Sequence, residues 1–218
     1  MARRSYGQYC TLAQALDIIG ERWTLLIVRE LMLGPRRFKD LLHGLPGIGR
    51  NLLTERLRRL EAEGLVGRGE LPAPAGSRVY ELTAEGRELG PSMVAISRWG
   101  IKRLAREPGQ VFRPAWGMFP LSYGADPEAA RRVRETYEFR VGSETFHLKV
   151  RDGEVKPFAG AVEDPDVVAT MDDETLLDLL SNVLAPVDAV TSGRVHLEGD
   201  PDAVGRLLSL YGGNLSPA

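Results

Sequence analysis

Residues 49–66 read GRNLLTERLRRLEAEGLV, and the fold of the first half turns on them. Leu53, Leu57 and Leu60 recur at the spacing of one buried helical stripe. Asn51, Thr54, Glu55 and Arg58 fall at i, i+3, i+4 and i+7, on the opposite side of the same helix. Gly64 stands where a helix C-cap favours glycine. The period then changes. Leu65–Leu71 and Arg78–Leu82 read as two strands joined by Pro72-Ala73-Pro74-Ala75-Gly76-Ser77.

Upstream, the pattern predicts a short helix over Thr11–Ile19 and a second over Glu21–Leu33, where Trp23, Ile27 and Leu31 are four apart and Gly34-Pro35 stops the run. A short helical piece follows over Arg37–Leu42, closed by Gly44 and Pro46. Downstream, Thr83 caps a helix from Ala84, and a longer helix runs from about Ser92 to Arg106. Helix, tight turn, helix, then a two-stranded hairpin is the order of a winged helix-turn-helix. Its second helix exposes Asn51, Thr54, Glu55 and Arg58, donors and acceptors suited to base edges in a major groove. Arg36, Arg37, Lys39, Arg50, Arg56 and Arg59 flank that face as phosphate-contact candidates. Ser77 and Arg78 stand at the wing, whose tip spans Ala73–Ser77. Each arginine is individually compatible with a solvated charge, or with a salt bridge to Glu55, Glu61 or Glu63. Trp23 and Trp99 read as core or subunit-interface positions.

Charge divides the same way. The 218 residues carry a net charge of -2. Residues 1–107 hold 18 basic and 12 acidic side chains, net +6, and residues 108–218 hold 10 and 18, net -8. A basic half joined to an acidic one points to polyanion binding by the first. Only Lys39, Lys102, Lys149 and Lys156 are lysine, a bias that genome composition also explains. No stretch approaches the roughly 20 apolar residues of a membrane helix, and no apolar run follows the N-terminus, so a cytoplasmic protein without membrane contact is expected. One cysteine, Cys10, excludes an internal disulfide framework.

Glu107-Pro108-Gly109 marks the expected boundary, dividing the chain into 1–107, an aromatic connecting segment at 108–127, and 128–218. The last part reads as α+β. A helix is expected over Glu128–Tyr137, with strands over Phe139–Val141 and Glu144–Arg151 joined at Gly142-Ser143. Asp152-Gly153 predicts a hairpin turn into Glu154–Phe158. Further strands are expected at Val167–Met171 and Arg194–Glu198. Further helices are expected at Glu174–Leu184, capped by Asp173, and from Pro201 onward. The helix at Glu174–Leu184 is too apolar for one narrow stripe, so it faces a core, a cavity or a partner. By type and phase, Trp116, Phe119, Phe146, Leu148, Met171, Leu177, Leu180 and Leu184 are candidates to line an apolar pocket. A closed core, or a surface serving only dimerisation, is the competing reading.

Two resemblances sharpen these expectations. Cys10, Gly20-Glu21-Arg22-Trp23-Thr24, Arg37-Phe38-Lys39-Asp40-Leu41 and the Leu52–Leu65 helix running into Val66 resemble the HxlR family of bacterial winged-helix regulators, relatives of the MarR type, over about residues 9–106. That resemblance implies a homodimer binding double-stranded DNA at a two-fold-related operator. It also implies a dimer interface built from the N-terminal segment and the Ser92–Arg106 helix. Glu21 departs from the pattern, where the family commonly has glycine, and is not expected to affect DNA contact. In some members an N-terminal cysteine senses oxidants. Cys10, near Arg3 and Arg4, is therefore a redox candidate, against the alternative of a buried inert thiol. Over about 128–212, the Asp152-Gly153 hairpin, Pro165-Asp166 before the next strand, and Val190–Val195 leading to Gly199-Asp200 resemble the sterol-carrier-protein-like (SCP2) domain. That implies a mixed sheet with helices over one face and, in lipid-binding members, an apolar tunnel.

No catalytic or metal motif is present. His43, His147 and His196 are too far apart for a local metal site, and there is no HExxH, Walker A, Ser-x-x-Lys or Gly-x-Ser-x-Gly. No enzyme activity and no cofactor are expected. The reading is a ligand-responsive DNA-binding regulator. The alternatives are a lipid or metabolite carrier using its winged helix as a dimer scaffold, and a redox regulator acting through Cys10.

Overall fold

A computed structural model of the chain describes residues 5–71, 76–101, 103–104 and 109–211. Its packing divides into two units, Met1–Leu89 and Gly90–Ala218.

The first unit is a helical layer with a small sheet. Its helices are α1 (Thr11–Ile19), α2 (Thr24–Met32), α3 (Phe38–Gly44), α4 (Arg50–Ala62) and the single turn α5 (Ala84–Arg87). Strands β1 (Val66–Glu70) and β2 (Arg78–Leu82) pair antiparallel. Ile27, Val28 and Leu31 of α2, Leu41 of α3, and Leu53, Leu57 and Leu60 of α4 are all buried and form the centre of this unit. Gly64 ends α4 at φ 75°, with its N–H on the Glu61 carbonyl and the Leu65 N–H on the Leu60 carbonyl. That is a Schellman arrangement, which satisfies the helix's last carbonyls and turns the chain into β1. Thr83 caps α5 by accepting from the Gly86 N–H at 3.1 Å.

Two local features differ from the sequence expectation. Helix α2 starts at Thr24 rather than Glu21, because Trp23 takes the left-handed conformation at φ 78°. That conformation costs an L-residue about 1–2 kcal/mol, so the surroundings must hold it. The chain before α3 also extends the wing. Arg36 and Tyr80 exchange both backbone hydrogen bonds, at 2.9 and 2.8 Å.

The second unit begins within α6 (Leu89–Ile101). A 3₁₀ turn at Pro114–Gly117, α7 (Met118–Tyr123) and α8 (Pro127–Arg131) follow. A five-stranded sheet then forms from β3 (Glu135–Val141), β4 (Glu144–Arg151), β5 (Glu154–Ala159), β6 (Val167–Met171) and β7 (His196–Gly199). Helices α9 (Asp173–Leu180), α10 (Pro186–Thr191) and α11 (Pro201–Ser209) complete it. The strand order is β5-β4-β3-β6-β7, antiparallel except for the β3–β6 pair. Asp152 and Gly153 both have positive φ, as a two-residue hairpin turn of this hand requires.

The sheet is two-faced. Tyr137, Phe139 and Val141 of β3 share one face with Phe146, Leu148 and Val150 of β4 and Val167, Ala169 and Met171 of β6, and all are buried. Gly117 fits beneath α9 because a Cβ there would meet Leu180 at 2.8 Å and Leu176 at 3.2 Å. The other face carries Glu138, His147, Lys149 and Phe158. Glu138 is buried there, accepting from Arg140 Nε at 2.8 Å and the Val162 N–H at 2.9 Å.

Three expectations for this half are corrected. The helix expected over Glu128–Tyr137 is confined to Pro127–Arg131, and the chain is already strand from Glu135. Thr136, Tyr137 and Phe139 favour a pleated, half-buried surface, and pairing on both sides by β4 and β6 fixes them there. Helix α9 stops at Leu180, where Asn182 turns left-handed at φ 58°, and a separate helix α10 starts at Pro186. Its cap is Asp172, not Asp173: Asp172 Oδ1 accepts from the Thr175 N–H at 2.7 Å.

Candidate nucleic-acid interface

The candidate interface is the outer side of α4. Asn51, Glu55 and Arg58 are exposed and Thr54 is half-exposed, while Leu53, Leu57 and Leu60 are buried on the other side. The Thr54 hydroxyl donates to the Arg50 carbonyl at 2.9 Å, which leaves its oxygen as an acceptor toward solvent. Arg50 is exposed and lies over the Phe38 ring, 5.4 Å from its centroid. Lys39 is exposed on α3, with Arg37 half-exposed at the helix start, where the Asp40 carboxylate accepts the Arg37 N–H at 3.1 Å. Arg36 is fixed by its bridge to Tyr80, beside the wing. Arg78 is exposed at the start of β2, and Ser77 is half-buried, its carbonyl accepting from Leu71 at 3.0 Å. The remaining wing-tip positions, Ala73 to Ala75, lie outside the described residues.

Two arginines of α4 point elsewhere. Arg56 is buried, donating to Glu21 at 3.0 Å, Glu55 at 3.0 Å and the Arg22 carbonyl at 3.3 Å. Arg59 donates to the Asp17 carbonyl and stands 3.5 Å from Glu21. Both serve the packing of α4 against the α1–α2 turn, a use that residue type alone does not reveal.

Cys10 is exposed and precedes α1, while Arg3 and Arg4 lie outside the described residues. Beside it, Tyr9, Leu12 and Leu16 are exposed on the same segment. In the second unit, Ile96, Trp99 and Leu104 are exposed on and just after α6, with Arg103 stacked 3.9 Å over the Trp99 ring. Lys102, Ala105 and Arg106 of the helix expected there lie outside the described residues.

The second unit holds an apolar cavity of about 50 Å³ between the sheet and α9, α10 and α11. Of the residues expected from type and phase to line an apolar pocket, Met171 lines it. Phe146 and Leu148 lie on the same sheet face, with Phe146 stacked on Phe139 at 5.6 Å. Phe119 is buried against Tyr123, 5.6 Å between centroids. Trp116, Leu177, Leu180 and Leu184 are half-buried outside the lining. Phe139, Leu179, Val190, Leu207 and Tyr211 line the cavity unforeseen. The apolar stripe of the last helix was the signal available for Leu207 and Tyr211, and the alternation of β3 for Phe139. Burial pushes the Tyr211 phenol well above its ordinary pKa, and its hydroxyl donates to the Leu121 carbonyl at 2.8 Å. Hence the lining offers a ligand almost no polar group.

Among the described residues no group of three or more His, Cys, Asp or Glu is placed to hold a metal ion, and no helix is long and apolar enough to cross a membrane.

Comparison with known proteins follows the same division. Residues 18–108 match the HxlR-like helix-turn-helix family, and residues 120–210 match the SCP-2 sterol transfer family. An HTH-type transcriptional regulator of Synechocystis sp. is 38% identical over 101 residues, covering 46% of this chain and 75% of the relative. One of Mycobacterium tuberculosis is 41% identical over 99 residues, so the chain spans only 62% of that relative. The HTH-type transcriptional regulator YodB of Bacillus subtilis is 35% identical over 88 residues, 40% of this chain and 79% of YodB. The solved reduced form of YodB overlays with a TM-score of 0.39 at 34% identity, covering 47% of this chain and all of YodB.

Proposed function

Because the chain belongs to the HxlR-like helix-turn-helix family, whose relatives here are named transcriptional regulators, we propose that it regulates transcription as a homodimer on double-stranded DNA, with α4 in the major groove. The supporting observation is the division of α4 into a buried leucine stripe and an outer face of Asn51, Thr54, Glu55 and Arg58. Arg58 suits guanine, Asn51 suits adenine, and Glu55 suits the cytosine amino group. Arg36, Arg37, Lys39, Arg50, Ser77 and Arg78 hold phosphates around that face, while Arg59 is turned to Asp17 and Glu21 and takes no phosphate. The exposed apolar residues of the N-terminal segment and of α6 are buried by the second copy.

The C-terminal unit binds a small apolar molecule and thereby biases DNA affinity. At about 50 Å³ its cavity is well below the roughly 150 Å³ that accommodates benzene in an engineered apolar core, so a ligand enters by displacing α10 or α11. A ligand shifts DNA affinity only if it prefers one of the two arrangements.

The test is native mass spectrometry of the full chain isolated from its host, followed by DNA selection. A dimer that enriches a two-fold-related sequence supports the proposal, and an added mass on each subunit supports the ligand role. A dimer that enriches no sequence but retains a ligand makes the chain a carrier with the winged helix as scaffold.

The exposure of Cys10 favours a second reading, in which oxidation of its thiol switches DNA binding. If Cys10→Ser leaves the peroxide response of DNA binding intact, that reading is wrong.

A further inference from the structure

Arg56 is the hub of a side-chain relay that crosses α4 from its inner to its outer face. Its guanidinium is buried and divided among three acceptors. Nε donates to the Arg22 carbonyl at 3.3 Å, Nη2 to Glu21 Oε2 at 3.0 Å, and Nη1 to Glu55 Oε1 at 3.0 Å. The first two partners belong to the α1–α2 turn, where Trp23 is left-handed. The third belongs to the outward face of α4, and its side chain is 63% exposed.

The geometry makes Glu55 unlike a free surface carboxylate. One oxygen is tied to a planar, pre-oriented donor, so the side chain loses the rotamer freedom that a solvated glutamate keeps. The Arg56 bond uses Oε1 and leaves Oε2 to accept from a base. The Glu21 carboxylate matters because it shares the Arg56 charge. Without it Glu55 would be the only carboxylate on that cation, and the guanidinium would lose an anchor on the α1–α2 turn. Glu21 Oε1 also stands 3.5 Å from Arg59 Nη1, so each oxygen of Glu21 faces one arginine of α4 and its own orientation is fixed. Nothing in the residue pattern connects Glu21 with DNA; the connection runs through Arg56.

We propose that Glu21 is a positioning residue for base reading: through Arg56 it fixes the outward Glu55 carboxylate, and so sets the preference for cytosine at one step of each operator half-site. The inference rests on the proposal that α4 reads DNA, and its test separates the two.

The test is selection of binding sites from random duplexes by the full-length chain, comparing wild type with Glu55→Gln, Glu21→Ala, Glu21→Gln and Arg58→Ala. The expected result is that Glu55→Gln and both Glu21 variants lose cytosine enrichment at the same step by about tenfold, with the other steps kept, while Arg58→Ala relaxes a different step. Glu21→Gln, which preserves the shape of the side chain, supplies the answer if Glu21→Ala does not fold. Glu21 variants that select the wild-type sequence, or that weaken every step alike, overturn the positioning role. If Glu55→Gln changes no step while wild type selects a sequence, the relay is wrong and DNA reading stands. A wild-type protein that selects no sequence overturns DNA reading itself, and the relay with it.

Discussion

Arg59 Nη1 stands 3.5 Å from Glu21 Oε1, so a guanidinium of α4 is turned toward the α1–α2 turn and away from the helix's exposed face. Its other terminal nitrogen donates to the Asp17 carbonyl. Arg59→Ala is therefore expected to lower folding stability by about 1.5–3 kcal/mol, the usual contribution of a hydrogen bond to a charged group, and to leave the salt dependence of DNA binding unchanged. Lys39, exposed on α3, is expected to behave oppositely. Lys39→Ala should leave stability within about 0.5 kcal/mol and reduce the slope of log K against log salt by about 0.9. Urea denaturation and a salt titration of duplex binding check both. A reduced slope for Arg59→Ala would place it on phosphate.

The outward face of α4 predicts specificity losses rather than affinity losses. Arg58→Ala, or Asn51→Ala with Thr54→Ala, is expected to cost about 1–3 kcal/mol of discrimination per base contact. Binding to random duplexes should change far less. Competition between the selected sequence and random DNA measures the ratio. Equal losses on both would make these residues phosphate contacts.

Much of the first unit is legible in the sequence because its signals are local. The leucine stripe of α4, the glycine that ends it and the wing strands each declare themselves within a few residues. Side-chain direction does not. Arg56, Arg58 and Arg59 are the same residue type, and only the position of the α1–α2 turn decides that Arg56 and Arg59 face it while Arg58 faces out. The Trp23 conformation and the Arg36–Tyr80 bridge depend on the same distant packing. In the second unit the hairpin at Asp152-Gly153 is legible, and Tyr137 is not. Val133 and Tyr137 are four apart and mimic a helix stripe, whereas pairing with two strands remote in sequence makes Tyr137 part of β3. The cavity lining is least legible, because strand parity and the break after Leu180 jointly determine it.

Tyr137 is fully buried and donates to Glu135 Oε2 at 2.5 Å, and Glu135 Oε1 accepts from Arg206 Nε of α11 at 2.6 Å. Burial first, and the carboxylate second, raise the Tyr137 phenol far above its ordinary pKa. Glu135→Ala strands the buried hydroxyl and is expected to cost about 1–3 kcal/mol of stability. Adding Tyr137→Phe should recover part of that loss. Denaturation of the two variants checks it, and additive losses would show that the pair is not coupled.

Asp172 caps α9, and its hydrogen bonds with Thr175 hold its carboxyl below the usual carboxylate range. A depressed folded pKa gives stability that is present above about pH 4, the unfolded value, and lost as the pH falls through the folded value. Asp172→Ala should cost about 1 kcal/mol at neutral pH. Asp172→Asn should keep the cap and flatten the acid limb of the stability curve. Unfolding measured from pH 7 to pH 2 tests this, and an acid limb unchanged in Asp172→Asn would assign the pH dependence to other groups.

DNA reading by the outer face of α4 is tested most directly by titrating the full-length chain against the duplex upstream of its own gene and a scrambled duplex of equal length, across a range of salt. The expected result is steep salt dependence on both, with binding to the upstream duplex at least about a thousandfold tighter, and loss of that preference in Arg58→Ala. Equal affinity for the two duplexes, or no salt dependence, would contradict it.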